Sequence, residues 1–526
     1  MTQPGSASVF WMSEPRIAAI AAELERLLGY VDLERDGRPL RVTGFRLRDN
    51  RQWRTARPGD VLDAIGPIAG LCAARCDFCF EHGLPFARDE SLLGRAEAAT
   101  RLRHFDPVRG QGLFHSARPH MDPFTNPAAL DILEECRRAE PSRLLVVTTN
   151  GFRLDDAAVD RLAALRPILI KLSLNVLDPE TRRRVMGRGS RPEVSSGAPE
   201  RLRRAGVPFI GSVVLHPGVS RPELEETIRF LADHDAYGVR VRLPIHHRFM
   251  RPEGQQPTDW EEMLAWVEQI AEGSATPVWA EPTQAWIPPL LARVDGVVRG
   301  SPAEAAGVRG GDLVKSVGGR EITFREELRS LFSSADEPVF PLRIELLRDG
   351  VPVEATITQE QVAGARYPYS PLGHPSERLG LIALPDVSFE QVWAAAQAIV
   401  AHDARRAVVF ASPLSTPMVR RLLAEHPSLA GALRGRSVLV AEVTDPWMGG
   451  NSRLLESRLV ADYARALSRL ALSRELDGPP DLLVVPDSFG SEWGIDLQGQ
   501  SLEQLSYRTG VRVARVPWAL VYGRED

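Results

Sequence analysis

Three of the four cysteines in this 526-residue chain fall within eight positions, in the stretch GLCAARCDFCFEHGLPF from Gly70 to Phe86. Cys72, Cys76 and Cys79 form a C-x3-C-x2-C array, and a loop this short can wrap one inorganic centre and aim three thiolates at it. Thiolates are the ligands of iron–sulfur clusters, and three of them on a four-iron cube leave one iron open to react. Zinc is a second reading, because His82 follows at a spacing that would complete a Cys3His tetrahedron. A chance cluster of buried thiols is the third. A disulfide framework is disfavoured, since four cysteines in a chain of cytosolic character stay reduced.

Such a loop needs elements to hold it. From 61 to 283 short apolar runs alternate with helical patterns of ten or more residues. The runs are VLDAIGPIAG, GLFHSA, RLLVVTTNG, ILIKLSLNV, VPFIGSVVLHPG and VRVRLPIHH, with helical stretches such as NPAALDILEECRRAE and RPELEETIRFLADHD between them. This alternation predicts an α/β fold in which a parallel sheet with crossover helices forms an open or partial (β/α)6 barrel. Polar residues at the strand ends suit an active site at the carboxyl face.

Residues 1–60 read as a lead-in, with a helix candidate in EPRIAAIAAELERLLGY and a short hairpin in GRPLRVTGFRLRD. Residues 285–358 are dense in glycine turns and end in alternating strands around Asp349-Gly350, which predicts a small β-rich domain with a tight hairpin. Residues 362–526 return to α/β character, with RAVVFASP, SVLVAEVT and DLLVVPDS as strands.

The net charge of -5, with signs interspersed, disfavours non-specific nucleic-acid binding. No apolar run approaches a membrane span, and the first twenty residues lack the basic and apolar regions of a signal peptide. The expected compartment is the cytoplasm, with no membrane partner.

C-x3-C-x2-C with Phe78 just before the last cysteine, after the first strand of an α/β barrel, resembles the signature of the radical S-adenosylmethionine (SAM) superfamily. The resemblance implies a radical SAM barrel with a 4Fe-4S cluster on Cys72, Cys76 and Cys79, and SAM chelating the open iron. An electron from a donor such as flavodoxin or ferredoxin then cleaves SAM to methionine and a 5′-deoxyadenosyl radical, which abstracts hydrogen from a substrate. Where relatives carry Gly-Gly-Glu-Pro after the second strand, this chain has HMDPFTNP, so Asp122 takes the place of the acid that holds the SAM amino group; helix capping before Pro123 is its plainer role. TTNG at 148–151 matches a common family pattern. Ser173 and Asn175 alternate with Leu172 and Leu174, so one strand face would present both, with Phe78, to SAM.

GSPAEAAGVRGGDLVKSVGG at 300–319 is similar to bacterial PDZ domains, which add a peptide terminus as an extra strand. With CDFCFEHGLP and VVLHPGVSRPELEETIRFLAD, it points to a superfamily branch that couples the barrel to a PDZ-like domain and a C-terminal domain of unknown function, although in those relatives the PDZ-like part precedes the barrel. The substrate is then a small molecule or a peptide, and bracing of the barrel is the simpler role for the PDZ-like part.

Cys136 follows Leu130 and Leu133 at helical spacing and reads as a core thiol, so counting leaves a single cluster. His115, His120, His216, His246 and His247 fall near strand ends as candidate acids, bases or anion contacts. Arg118, Arg240 and Arg242 invite an anionic substrate, and DPWMGG with PDSFGSEWG are candidates for a loop over the barrel mouth.

Overall fold

The computed structural model describes residues 30–35, 38–43, 68–79, 92–102, 122–142, 144–248, 250, 259–281, 291–325, 327–328, 339–364, 379–383, 389–444, 449–450, 459–473, 478–486 and 500–516. Strands β1 (Tyr30–Arg35) and β2 (Arg38–Thr43) pair antiparallel on either side of Asp36-Gly37. The expected hairpin therefore begins earlier than GRPLRVT, which supplies its second strand, because Asp-Gly is the stronger turn signal. The candidate lead-in helix lies outside the described residues except for Tyr30, which begins β1.

Helices α1 (Arg95–Leu102) and α2 (Ala129–Ala139) precede the main sheet. That sheet is parallel, in the order β3 (Leu145–Thr149), β4 (Ile168–Ser173), β5 (Phe209–Val214), β6 (Val239–Arg242) and β7 (Val278–Glu281). Its connections carry α3 (Asp156–Ala164), α4 (Pro179–Met186), α5 (Ala198–Arg204), α6 (Arg221–Asp233) and α7 (Trp260–Glu272). Four strands are expected runs, and β7 is an addition to the six. VLDAIGPIAG and GLFHSA lie outside the described residues apart from Ile68 to Gly70.

Alternation assigns the two sheet faces. Ile168, Ile170, Leu172, Phe209, Val213, Val239, Val241 and Val278 join the helices in one core. Leu169, Ile210 and Trp279 point the other way, into the barrel. Helix α6 shows how the outer layer is fixed: Ser220 and Glu223 form a reciprocal capping box, and Leu224, Ile228 and Leu231 bury one stripe.

The β-rich module contains β8 (Gly296–Val297), β9 (Leu313–Val317), β10 (Arg320–Glu321), β11 (Leu342–Arg348), β12 (Val351–Ile357) and β13 (Leu381–Ile382). A four-stranded antiparallel sheet runs β10-β9-β11-β12, and β8 pairs with β13. The expected hairpin turn is present, with φ of 50° at Asp349 and 81° at Gly350.

The last region is a second parallel sheet, ordered β15 (Ser437–Glu442), β14 (Arg406–Ala411), β16 (Leu482–Pro486), β17 (Arg512–Val516). Helices α8 (Phe389–Ala401) and α9 (Thr416–Glu425) cover one face, and α10 (Val460–Ser473) and α11 (Leu502–Thr509) the other.

The modules meet the barrel at opposite ends. Val298 and Ile382 of the β-rich module pack on Leu169, Ile210 and Trp279, each the second residue of its strand, so they seal the amino end. Arg299 adds an ion pair to Asp235 just before β6, at 3.1 Å. At the carboxyl end, Leu414 of the last region joins the barrel core. A Cβ on Gly450 would stand 2.3 Å from the His246 carbonyl oxygen, and one on Gly449 would lie 3.6 Å from Arg248, so the end of DPWMGG reaches the segment after β6. PDSFGSEWG lies outside the described residues after Pro486. Among the described residues no helix is long and apolar enough to cross a membrane.

Candidate functional site

The cysteine loop is held by its backbone. Arg75 N–H donates to the Met186 carbonyl at 2.9 Å and Asp77 N–H to that of Val185 at 3.0 Å, so the end of α4 carries the loop like a short strand partner. Cys79 N–H closes a turn on the Cys76 carbonyl. Ala73 N–H donates to Thr125 Oγ1 at 3.0 Å. Close approach is possible because residue 189 is glycine: a Cβ there would stand 2.0 Å from the Ala73 carbonyl oxygen.

DPFTN, from Asp122 to Asn126, is the second support. The Asp122 carboxylate accepts from Phe124 N–H at 3.0 Å, capping the short 3-10 turn Pro123–Thr125. Its other oxygen accepts from Thr149 Oγ1 at 2.8 Å, on the last residue of β3, and from Asn150 N–H at 2.7 Å, just past it. Asn126 Nδ2 donates to the carbonyls of Ile68 and Leu93. The capping role is thus present, and Asp122 Oδ1 retains room for one further donor.

Burial and proximity set the electrostatics. Burial pushes the Cys72 thiol up to about 12, and the charge of Asp122 adds to this while the backbone N–H groups of Asp122 and Ala74 oppose it. Burial also drives Cys76 well above its ordinary value, reinforced by Cys79 and Cys72 and opposed by Arg182. Burial raises Asp122 to about 6 against its hydrogen bonds and Arg182. Cys72 and Cys76, whose proton affinity burial raises, become thiolates when a cationic centre replaces the protons. Among the described residues no three His, Cys, Asp or Glu side chains gather as they would on one metal ion. A single tetrahedral ion needs convergent ligands, whereas a cube offers each thiolate its own iron. Three thiols in one short loop are a donor set that fits an iron–sulfur centre; His82 lies outside the described residues.

The expectation that Ser173 and Asn175 share a strand face is corrected. Strand β4 ends at Ser173, and Asn175 lies beyond it with φ of 63°, in the left-handed region that asparagine tolerates. Its amide is engaged: Oδ1 accepts from Val214 N–H at 3.1 Å, and Nδ2 donates to the Ser173 carbonyl at 3.4 Å. Ser173 is half-buried at the strand end. Phe78 packs on the barrel core with its ring 5.4 Å from that of His216.

His216 accepts from Gly218 N–H at Nδ1, which leaves the proton on Nε2, a buried donor without a partner. Burial and then Arg184 lower its pKa, favouring the neutral ring. Burial alone lowers that of His246. His247 is fully buried, and His115, His120 and Arg118 lie outside the described residues. Inside the barrel, Lys171 shares a face with Leu169, Ser212 with Ile210, and Arg240 pairs in register with both Ser212 and Trp279. Glu281 stands 3.7 Å from Arg240 and 3.6 Å from Arg242. Cys136 is buried in the core on α2, as its spacing predicts.

Sequence reasoning missed Arg182, the buried cation beside Cys76, and the Thr125, Asn126 and Gly189 supports. Periodicity held the signal for Arg182, which precedes Val185 and Met186 by three and four positions on the buried stripe of α4.

The profile of the radical SAM superfamily matches residues 67–231, which span the cysteine loop through most of α6. The chain carries a radical SAM superfamily domain. Its cofactors are those of the superfamily, a 4Fe-4S cluster and SAM. A PDZ domain profile matches residues 293–346, within the β-rich module. A GTP 3',8-cyclase of Microcystis aeruginosa (strain NIES-843 / IAM M-2473) is 29% identical over 161 residues, which are 30% of this chain and 48% of that protein, so the match spans about half the relative's length. Among solved structures, SuiB of Streptococcus suis bound to precursor peptide SuiA is 16% identical, with a TM-score of 0.32 over 51% of this chain and 61% of that one. TYW1 with a lysine-pyruvate adduct is 12% identical, with a TM-score of 0.29 over 48% of this chain and 89% of that one. Both likenesses to solved structures are slight in sequence and in shape.

Proposed function

We propose that this radical SAM enzyme holds a single 4Fe-4S cluster on Cys72, Cys76 and Cys79 and cleaves SAM reductively beside it. The observation that carries the reading is the loop itself: three adjacent thiols, clamped by α4 and DPFTN at the carboxyl end of a parallel sheet. Bound together, cluster and SAM supply a 5′-deoxyadenosyl radical for hydrogen abstraction. The chain's own residues do the positioning. Asp122 offers Oδ1 to the SAM amino group, Ser173 and Phe78 flank the same end, and Asn175 acts by bracing β4 against β5.

The barrel interior receives the substrate. Buried Arg240 and neighbouring Arg242, sharing Glu281, favour a group rich in acceptors or bearing negative charge. A peptide that docks first through the PDZ domain is the second reading, supported by the four-stranded antiparallel sheet of that module. A cytoplasmic location and a flavodoxin or ferredoxin donor complete the proposal.

The deciding experiment purifies the chain without oxygen, measures iron, acid-labile sulfide and zinc, then reduces it with SAM present and looks for 5′-deoxyadenosine by mass spectrometry. Iron with sulfide and 5′-deoxyadenosine are expected. One zinc without iron rejects the proposal, as does a cluster whose last site is closed by His82 and whose spectrum ignores SAM.

A further inference from the structure

Helix α4 carries three consecutive arginines that end in different surroundings. Arg183 reaches the surface and pairs with Glu193, and Arg184 donates to the Gly218 carbonyl from an exposed position. Long side chains normally take their charge to water in this way. Arg182 turns inward and is fully buried.

Its polar contacts are neutral. Nη2 donates to the Asn150 carbonyl at 2.8 Å and Nη1 to the Leu174 carbonyl, which ties the ends of β3 and β4 together. Nε has no hydrogen-bond partner, and among the described residues no carboxylate forms an ion pair with it. The groups whose fields act on it are Cys76 first and then Asp122. Two carbonyls alone are poor compensation for a guanidinium removed from water, because a buried charge requires an opposite charge nearby. The site thus contains a fixed cation whose natural counter-ion would be thiolate-bound iron and sulfide.

We infer that Arg182 is the buried counter-charge of the cysteine-held cluster and raises its reduction potential. The inference rests on the function proposed above. Three thiolates leave the oxidised cube with net negative charge, and the electron from an external low-potential donor deepens it without making or breaking a bond. A neighbouring positive charge therefore favours the reduced state more than the oxidised one. Burial spares this interaction the salt screening that weakens surface pairs.

The test is an EPR-monitored redox titration of the reconstituted full chain without SAM, comparing wild type, R182M and R182K. For R182M the ratio of reduced to oxidised cluster at a fixed potential should fall about tenfold or more, equivalent to ~59 mV for one electron. R182K keeps the charge while losing the planar fork, and its ratio should stay within about threefold of wild type. A loaded R182M that titrates like wild type overturns the inference, as does an R182K that falls as far as R182M. If R182M takes up no cluster, R182K decides alone: a wild-type titration supports the counter-charge, and a tenfold fall overturns it. A wild-type chain without iron and sulfide instead rejects the function proposed above.

Discussion

The two ends of the β3–β7 sheet use the same inward-facing register for opposite purposes. At the amino end Leu169, Ile210 and Trp279 meet Val298 and Ile382 of the PDZ module in an apolar seal. Two positions further along the same strands stand Lys171, Ser212 and Glu281, and beyond them the cysteine loop. One end excludes water by packing, so its residues contribute stability. The other buries charge, including Arg182, which forms no ion pair among the described residues, an arrangement that only a function explains well. In a barrel, chemistry is built on the carboxyl ends and stability on the amino ends.

The contrast breaks most sharply at the cysteines. Cys76→Ala should reduce iron and sulfide to background and abolish 5′-deoxyadenosine, whereas Cys136→Ala should retain both and cost about 1 kcal/mol of stability. Equal iron in wild type and Cys76→Ala would move the cluster elsewhere. At the opposite end, Trp279→Ala removes the largest ring of the seal and should destabilise the chain by about 3–5 kcal/mol in denaturant unfolding. SAM cleavage per bound cluster should not change. A variant of normal stability and lost cleavage would mean that the amino end belongs to the site.

What the sequence disclosed follows the same division. The cysteine spacing, the strand–helix alternation and the Asp349-Gly350 turn are local signals, and each could be read directly. Asp122 could be chosen as a candidate, but its partners Thr149 and Asn150 lie more than twenty-five positions away and come near only when β3 is placed. Asn175 was misread because alternation assumes that the strand continues, and a left-handed residue ends it. Arg182 was passed over because arginine by default belongs to the surface, although its spacing to Val185 and Met186 marks it as inward. The seating of the PDZ module on Trp279 had no local signal, since it depends on two surfaces complementary only in the folded chain.

Two smaller changes sharpen the comparison. Gly189→Ala sets a methyl against the Ala73 carbonyl, where the ideal position is only 2.0 Å away. Overpacking of this kind costs about 1–3 kcal/mol. Because the displaced partner is the cysteine loop, the cost should appear as weaker cluster retention, measured as iron lost to a chelator over time. Global unfolding should change less. Unaltered iron retention would show that the loop can shift without harm.

The smallest effect is expected at the exposed edge of the amino-end seal. Arg299 and Asp235 pair at 3.1 Å, but both side chains are about half exposed, at 51% and 52%. Water already solvates both partners, and ordering two mobile side chains offsets much of the attraction, so Arg299→Ala should cost only about 0–1 kcal/mol in denaturant unfolding. The same residue type at position 182 is fully buried and, among the described residues, forms no ion pair, so its replacement should alter the chemistry of the site. A large loss at Arg299 would mean that the PDZ module is held by charge as well as by Val298 and Ile382. Raising the salt concentration would then weaken the wild type by a similar amount, whereas an apolar seal should be indifferent to it or slightly strengthened.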